Sequence, residues 1–255
     1  MKPVICIKIG GTAAESKDAL QFLLEDIKNL QESYHPVLVH GGGKEVSRIT
    51  RQFGLEPVFV DGIRQTSEEE MDIVEMVLAG KVNKMIVRAA VKAGLKAAGI
   101  SGSDNMLFQG KPISENSRTG KVDKVSTEIV EILLGNTILP VISSVGTDVD
   151  GQGLNINADE VALELAESLK ADMLVYISDI PGVLIEGKIA AELNEAECKH
   201  WIDKGEISRG MVPKVLSSLE GLHRGIRSIV IGDYLARGDL EKFIQKKKGT
   251  TLLLS

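Results

Sequence analysis

Six short apolar runs limit the fold of this chain more than any other feature. They lie at residues 4–9, 37–40, 137–143, 172–178, 226–231 and 250–254. Each is nearly continuous in Val, Ile and Leu rather than alternating, which is how strands buried on both faces read. Most of the segments between them have helical spacing. The simplest architecture is therefore α/β, with a mostly parallel sheet covered by helices. At 255 residues the chain can bury most of its apolar surface as one large domain or two intimate lobes. A change from helix to strand near residues 170–172 marks the expected lobe boundary, giving lobes of residues 1–170 and 171–255.

Several helix starts are legible. Ser67 and Glu70 have capping-box spacing ahead of Met71, Val74, Val77 and Leu78, and Asn157 with Glu160 and Asn194 with Glu197 repeat it. Pro213 suits a first helical position, which places Lys214 in a first turn. Between residues 100 and 124 the pattern breaks at Gly102, Gly110, Pro112 and Gly120, predicting hairpins on the margin of the sheet.

Composition excludes several classes of function. A net charge of −6 with 4% aromatic residues supplies neither the basic field nor the stacking platforms used on nucleic acids. No stretch is long and apolar enough to span a membrane, and the run after Met1-Lys2-Pro3 is too short for a secretory signal, so a cytoplasmic location is expected. Cys6 and Cys198 form no C-x-x-C and no zinc-like cluster, and read as reduced thiols. A small anionic ligand remains compatible with the charge, because local lysines and helix N-termini outweigh a mildly acidic total.

Two glycine turns at strand ends carry the chemical signal. Lys8-Ile9-Gly10-Gly11 closes the first run and His40-Gly41-Gly42-Gly43 closes the second. Glycine lets backbone N–H groups approach an anion closely, so such turns suit phosphate. Neither the P-loop pattern nor a complete G-x-G-x-x-G follows a strand, which points to another scaffold. Lys8 reads either as the charge of that cradle or as a cation snorkelling from a buried strand. Lys214, near a helix start where the macrodipole repels a cation, gains from an anionic ligand but also reads as an exposed side chain. Asp159 suits a helix N-terminus for structural reasons alone, and Asn157 reads as its cap. Asn155 lies before that helix with an amide to offer. Arg64 is either a surface residue or a forked partner for a carboxylate.

In family order over nearly the whole chain, eight segments resemble the amino-acid kinase family and, within it, the branch that phosphorylates N-acetylglutamate. They are Lys8-Ile-Gly-Gly, His40-Gly-Gly-Gly, Gly62-Ile-Arg64-Gln-Thr, Met76-Val-Leu-Ala-Gly-Lys-Val-Asn83-Lys84, Asn155-Ile-Asn-Ala-Asp159, Ser178-Asp179-Ile-Pro-Gly182-Val183, Gly210-Met211-Val-Pro-Lys214 and Gly249-Thr-Thr-Leu. The resemblance implies a three-layer open α/β sandwich with an acceptor-binding, dimerising N-terminal lobe and an ATP-binding C-terminal lobe. It implies transfer of the γ-phosphoryl group of ATP to the side-chain carboxylate of N-acetyl-L-glutamate in arginine biosynthesis, with Mg²⁺ carried by the nucleotide. Lys8, Lys214, Asp159 and Gly11 are the implied catalytic residues, Asp159 orienting the two lysines. Gly42, Gly43, Arg64 and Asn155 would hold the acceptor, and Lys8, Gly10, Asp179, Gly182, Gly210, Met211 and Lys214 the nucleotide. A carboxylate acceptor with a reference pKa of about 4.3 is already ionised, so no general base is needed.

Some features depart from the family pattern. Asn105 stands where relatives often carry glycine, and the excursion to Gly120 looks short, which bears on the shape of an acceptor lid. Only seven residues precede Lys8, so the N-terminal helix that builds arginine-inhibited hexamers in relatives is not expected, and a homodimer insensitive to arginine is. The competing readings are a sister kinase acting on glutamate or a carrier-linked aminoadipate, and a non-catalytic sensor. The sensor would be expected to have lost Lys8, Asp159 or Lys214.

Overall fold

Where the sequence strings Val, Ile and Leu together, the chain is extended and paired. The computed structural model describes residues 2–10, 16–60, 62–208 and 210–255. In chain order the first part runs β1 (Val4–Ile9), α1 (Lys17–Leu30), β2 (His35–His40), α2 (Gly43–Gln52), β3 (Val58–Val60), β4 (Ile63–Gln65) and α3 (Glu68–Glu75). A π-helical segment, Met76–Val82, leads directly into α4 (Asn83–Lys92). Then follow β5 (Ala97–Ile100), β6 (Phe108–Pro112), β7 (Thr119–Val125), α5 (Glu128–Gly135), β8 (Leu139–Ser143), β9 (Val145–Thr147), β10 (Gly153–Ile156) and α6 (Ala158–Ser168). The remainder is β11 (Met173–Ser178), β12 (Leu184–Ile185), β13 (Lys188–Ile189), β14 (Glu192–Asn194), α7 (Glu195–Asp203), α8 (Met211–His223), β15 (Ser228–Asp233), α9 (Asp239–Ile244) and β16 (Thr250–Leu253). This is the expected mostly parallel sheet flanked by helices.

The chain packs as two units, one of Met1–Pro36 with Leu165–Ser255, the other of Val37–Glu164. The first 36 residues group with the C-terminal third, where β1 pairs in parallel with β11 from Ile5↔Met173 to Ile9↔Ile177. No periodicity announces a pairing over that separation.

In the first unit the strand order is β14-β16-β15-β11-β1. β1, β11 and β15 run parallel, and β16 lies antiparallel to β15. Ile5, Cys6 and Ile7 are all fully buried, as the continuous apolar run requires of a strand covered on both faces. α1 buries Leu20, Leu23, Leu24 and Ile27, one face of a helix, and Ser16 caps it by accepting from the Ala19 amide at 3.3 Å. α8 begins at Met211, two residues before the expected Pro213. The proline is tolerated there because the first four helical N–H groups lack intrahelical partners. Asn194 and Glu197 form the complete capping box expected of them.

In the second unit β2, β8 and β5 form a parallel set, and β10, β7, β6 and β9 close a small barrel. The glycines of residues 100–124 were read as hairpin punctuation. β6 and β7 do pair antiparallel, but Gly110 and Gly120 also make room inside the barrel for Leu154, whose Cδ1 lies 3.0 and 2.9 Å from where their Cβ atoms would stand. Asn105 adopts φ 51° and ψ 32°, a left-handed conformation that asparagine tolerates. Ser67 caps α3 by accepting from the Glu70 amide at 3.1 Å, but the Glu70 carboxylate does not complete the box; it turns to Arg64. Among the described residues no helix is long and apolar enough to cross a membrane.

Candidate active site

The expected nucleotide residues all fall in the first unit, at or beyond the carboxyl ends of its parallel strands, where ligands of open α/β sheets bind. Lys8 is register-paired with Tyr176 of β11, so their side chains share a face of the sheet. Tyr176 is 1% exposed, and the Lys214 ammonium lies over its ring, 5.1 Å from the centroid. A cation in that position is attracted to the ring face. Two lysines 206 positions apart (214 − 8) therefore reach the same face through one tyrosine. The Lys8 Nζ sits 2.6 Å from where a Gly10 Cβ would be, so only glycine leaves the ammonium its place. The Gly10 amide donates to the Ile177 carbonyl at 3.1 Å, which continues the β1–β11 ladder through the turn. Gly11 lies outside the described residues.

Asp179 directly follows β11, and Gly210 and Met211 open the helix that carries Lys214. Gly182 has a packing reason for its identity. A side chain there would meet Thr250 Oγ1 and Ile189 Cγ2, each at 2.8 Å, while the same Thr250 oxygen accepts from the Val183 amide at 2.8 Å.

The expected acceptor residues all fall in the second unit, and one hydrogen-bond chain joins Gly43, Arg64 and Asn155. Gly42 and Gly43 lead from β2 into α2, whose N-terminus has no side-chain cap; the first amides of any helix lack partners within it. Arg64 of β4 is 8% exposed, and its Nη2 donates to the Gly43 carbonyl at 3.1 Å and to the Ser47 hydroxyl. Its Nη1 donates to Glu70 Oε1 at 2.7 Å, and its guanidinium lies 4.8 Å from the Phe59 ring centroid. Part of the guanidinium fork is thus engaged within the unit. The Arg64 carbonyl accepts from Thr119 Oγ1 at 2.6 Å, and that oxygen accepts from the Thr66 amide at 2.9 Å. Asn155, on β10, closes the chain by donating its amide to Thr66 Oγ1 at 2.9 Å. Asp159 is the second residue of α6, and its amide donates to the Asn157 side chain at 2.8 Å, so Asn157 caps the helix as expected.

Reading the sequence missed Tyr176, Thr66, Thr119 and the carboxylate of Glu70. Tyr176 carried one usable signal, a lone hydroxyl-bearing ring inside a fully apolar strand. Thr66 appears only as the last residue of the Gly62-Ile-Arg64-Gln-Thr segment and Thr119 carried no signal, because their value lies in pairings between β4, β7 and β10.

Within the first unit, two lysines on one face of a parallel sheet with glycine turns and no P-loop suit the class of α/β proteins that bind phosphate without one. The chain belongs to the amino acid kinase family, whose pattern matches residues 3–233. The acetylglutamate kinase of Kosmotoga olearia is 40% identical over 229 residues, covering 88% of this chain and 81% of that protein. The acetylglutamate kinase of Prochlorococcus marinus strain MIT 9515 is 39% identical over 236 residues, covering 90% and 83%. Among solved structures, that of smu.665 from Streptococcus mutans UA159 matches with a TM-score of 0.84 at 28% identity over the whole of both chains.

Proposed function

We propose that this chain transfers the γ-phosphoryl group of ATP to the side-chain carboxylate of N-acetyl-L-glutamate, giving N-acetyl-L-glutamyl 5-phosphate and ADP in arginine biosynthesis. The arrangement of Lys8 and Lys214 about Tyr176 carries the phosphoryl-transfer reading. The acceptor's identity is supported by relatives named acetylglutamate kinase at 40% and 39% identity over most of the chain. A carboxylate oxygen attacks the γ-phosphorus, the bond to the bridging oxygen breaks, and ADP leaves with that electron pair. No proton moves, because the acceptor carboxyl, with a reference pKa of about 4.3, is ionised at neutral pH. His40, buried and held down to about 4, is a neutral side chain with no acid–base task.

In this reading Lys8 and Lys214 neutralise charge on the migrating phosphoryl group, the way such sites obtain most of their rate. Amides of Gly11, Gly42 and Gly43 donate to phosphoryl and acceptor, and Asp159 serves as the orienting carboxylate. Arg64 and Asn155 hold the acceptor through the donors that Glu70, Ser47, Gly43 and Thr66 leave to them. Gly10, Asp179, Gly182, Gly210 and Met211 line the nucleotide side. Mg²⁺ borne by ATP offsets the charge of the β- and γ-oxygens. Among the described residues no cluster of three His, Cys, Asp or Glu side chains is placed to hold a metal. A cytoplasmic homodimer completes the proposal.

The test is ADP release with N-acetylglutamate, glutamate and aminoadipate side by side, with the acyl phosphate trapped as a hydroxamate. N-acetylglutamate is expected to give the highest kcat/KM. A higher value for either of the other two would reassign the acceptor, and no turnover with any of them would remove the kinase reading.

A further inference from the structure

The segment Met76–Lys84 is part of the family resemblance, yet no step of the reaction above uses it. Its first seven residues are π-helical, with an i→i+5 hydrogen-bond period that brings Leu78 and Asn83 onto one side. That side faces the glycine turn after β2. Leu78 Cδ2 lies 2.9 Å, and Val82 Cγ2 3.4 Å, from where a Gly42 Cβ would be, so the two aliphatic side chains hold one flank of the turn.

Asn83 holds the other flank through His40. Its Nδ2 lies 2.9 Å from the Val141 carbonyl, 3.0 Å from His40 Nε2 and 3.4 Å from the Ile100 carbonyl, so it touches β8, β2 and β5 together. An amide nitrogen only donates, so His40 Nε2 accepts. A carbonyl only accepts, so the hydrogen on the ring resides at Nδ1 and is donated to the Gly41 oxygen at 2.9 Å. The orientation of the amide is itself fixed, because Asn83 Oδ1 accepts from Lys84 Nζ at 3.1 Å, and the same ammonium donates to the Gly99 carbonyl at 2.7 Å. A Cβ on Gly99 would run into Asn83 Oδ1, so that position too is fitted to the asparagine. His40 and Asn83 are 0% and 1% exposed, too deep to meet a substrate.

We propose that His40 and Asn83 are positioning residues: Asn83 fixes the imidazole tautomer, and the imidazole pins the Gly41 carbonyl so that the amides of Gly42 and Gly43 point at their ligand. This rests on the reading that those amides serve the reaction. A displacement of the order of 1 Å at such donors costs up to about 10²-fold in rate.

The experiment uses the full chain and three substitutions that divide the imidazole's work. His40→Asn keeps a donor within reach of the Gly41 oxygen, His40→Gln keeps an acceptor within reach of Asn83, and Asn83→Leu removes the donor while keeping volume. With folding checked by near-UV circular dichroism, kcat is expected to fall about 10- to 100-fold in Asn83→Leu and His40→Gln, and less in His40→Asn, with KM for ATP within about twofold throughout. Nitrogen NMR of the wild type should show hydrogen on Nδ1 of His40. In ¹⁵N-glycine spectra the Gly42 and Gly43 amides should shift in the variants while Gly232 stays in place. The spectra decide the positioning role even if N-acetylglutamate proves not to be the acceptor, and should Asn83→Leu fail to fold, the two His40 variants decide alone. An Nε2–H tautomer, unmoved Gly42 and Gly43 amides, or moved amides with unchanged kcat would each overturn the proposal.

Discussion

An ammonium group folded back over the glycine two residues further along its own chain is a narrow arrangement, and Lys8 depends on it. Lys8→Ala or Lys214→Ala should lower kcat by about 10²-fold or more, the scale of losing one strong donor to the transition state, which steady-state assays will read directly. Gly10→Ala should act on the same ammonium from beneath. Its Cβ would stand 2.6 Å from Nζ, the far end of a flexible side chain, so urea unfolding should change little while kcat falls about tenfold. Glu70 behaves differently, because it is 4% exposed and pairs with the buried Arg64. Glu70→Ala should cost about 3–5 kcal/mol in equilibrium unfolding by stranding that charge. Lys8, Lys214 and Arg64 stand out in the sequence as candidates because each is a cation set beside a glycine turn, a helix start or a loop. Their partners were not. Tyr176 and Glu70 look like ordinary core and cap residues until the register and the turn of α3 are known.

Among the elements, the most legible were those whose signal is local. β1, β2, β8, β11, β15 and β16 all lie where apolar runs predicted them, and the Asn194–Glu197 box at α7 is complete. Asn194→Ala should therefore cost about 1 kcal/mol, measured as a shift of the urea midpoint with unchanged slope. The four-stranded barrel was only half legible. Its interior is shared among strands from residues 108 to 156, and the glycines that admit Leu154 look the same in sequence as glycines that make turns. The π-helical turn has no signal of its own in the sequence, where Val77 and Leu78 simply extend the apolar positions of α3.

For the whole molecule, acid stability follows from which groups are buried in which charge state. Burial holds His40 neutral, from 6.5 down to about 4, and His35 shifts the same way. The unfolded chain takes up these protons first, so the native state should lose about 3 kcal/mol through His40 between pH 6.5 and 4, and nothing more from it below that. Asp239 is held at about 2 against its burial by hydrogen bonds from Lys248 and the Leu235 amide. Its contribution should disappear later, as pH falls from about 4 to 2. Denaturant titrations at a series of pH values should show both ranges, and His40→Asn should weaken the first, leaving the His35 share, without touching the second.

The pairing of β1 with β11 also has a consequence for synthesis. The Val4 amide meets the Asp172 carboxylate across 168 positions, so one edge of the apolar strand β1 has no partner until those 168 further residues have been made. At roughly 5–20 residues per second, a ribosome leaves that edge waiting on the order of ten to thirty seconds. Exposed strands of this kind are templates for unwanted association. The newborn chain, rather than the finished enzyme, is then the form most in need of a chaperone.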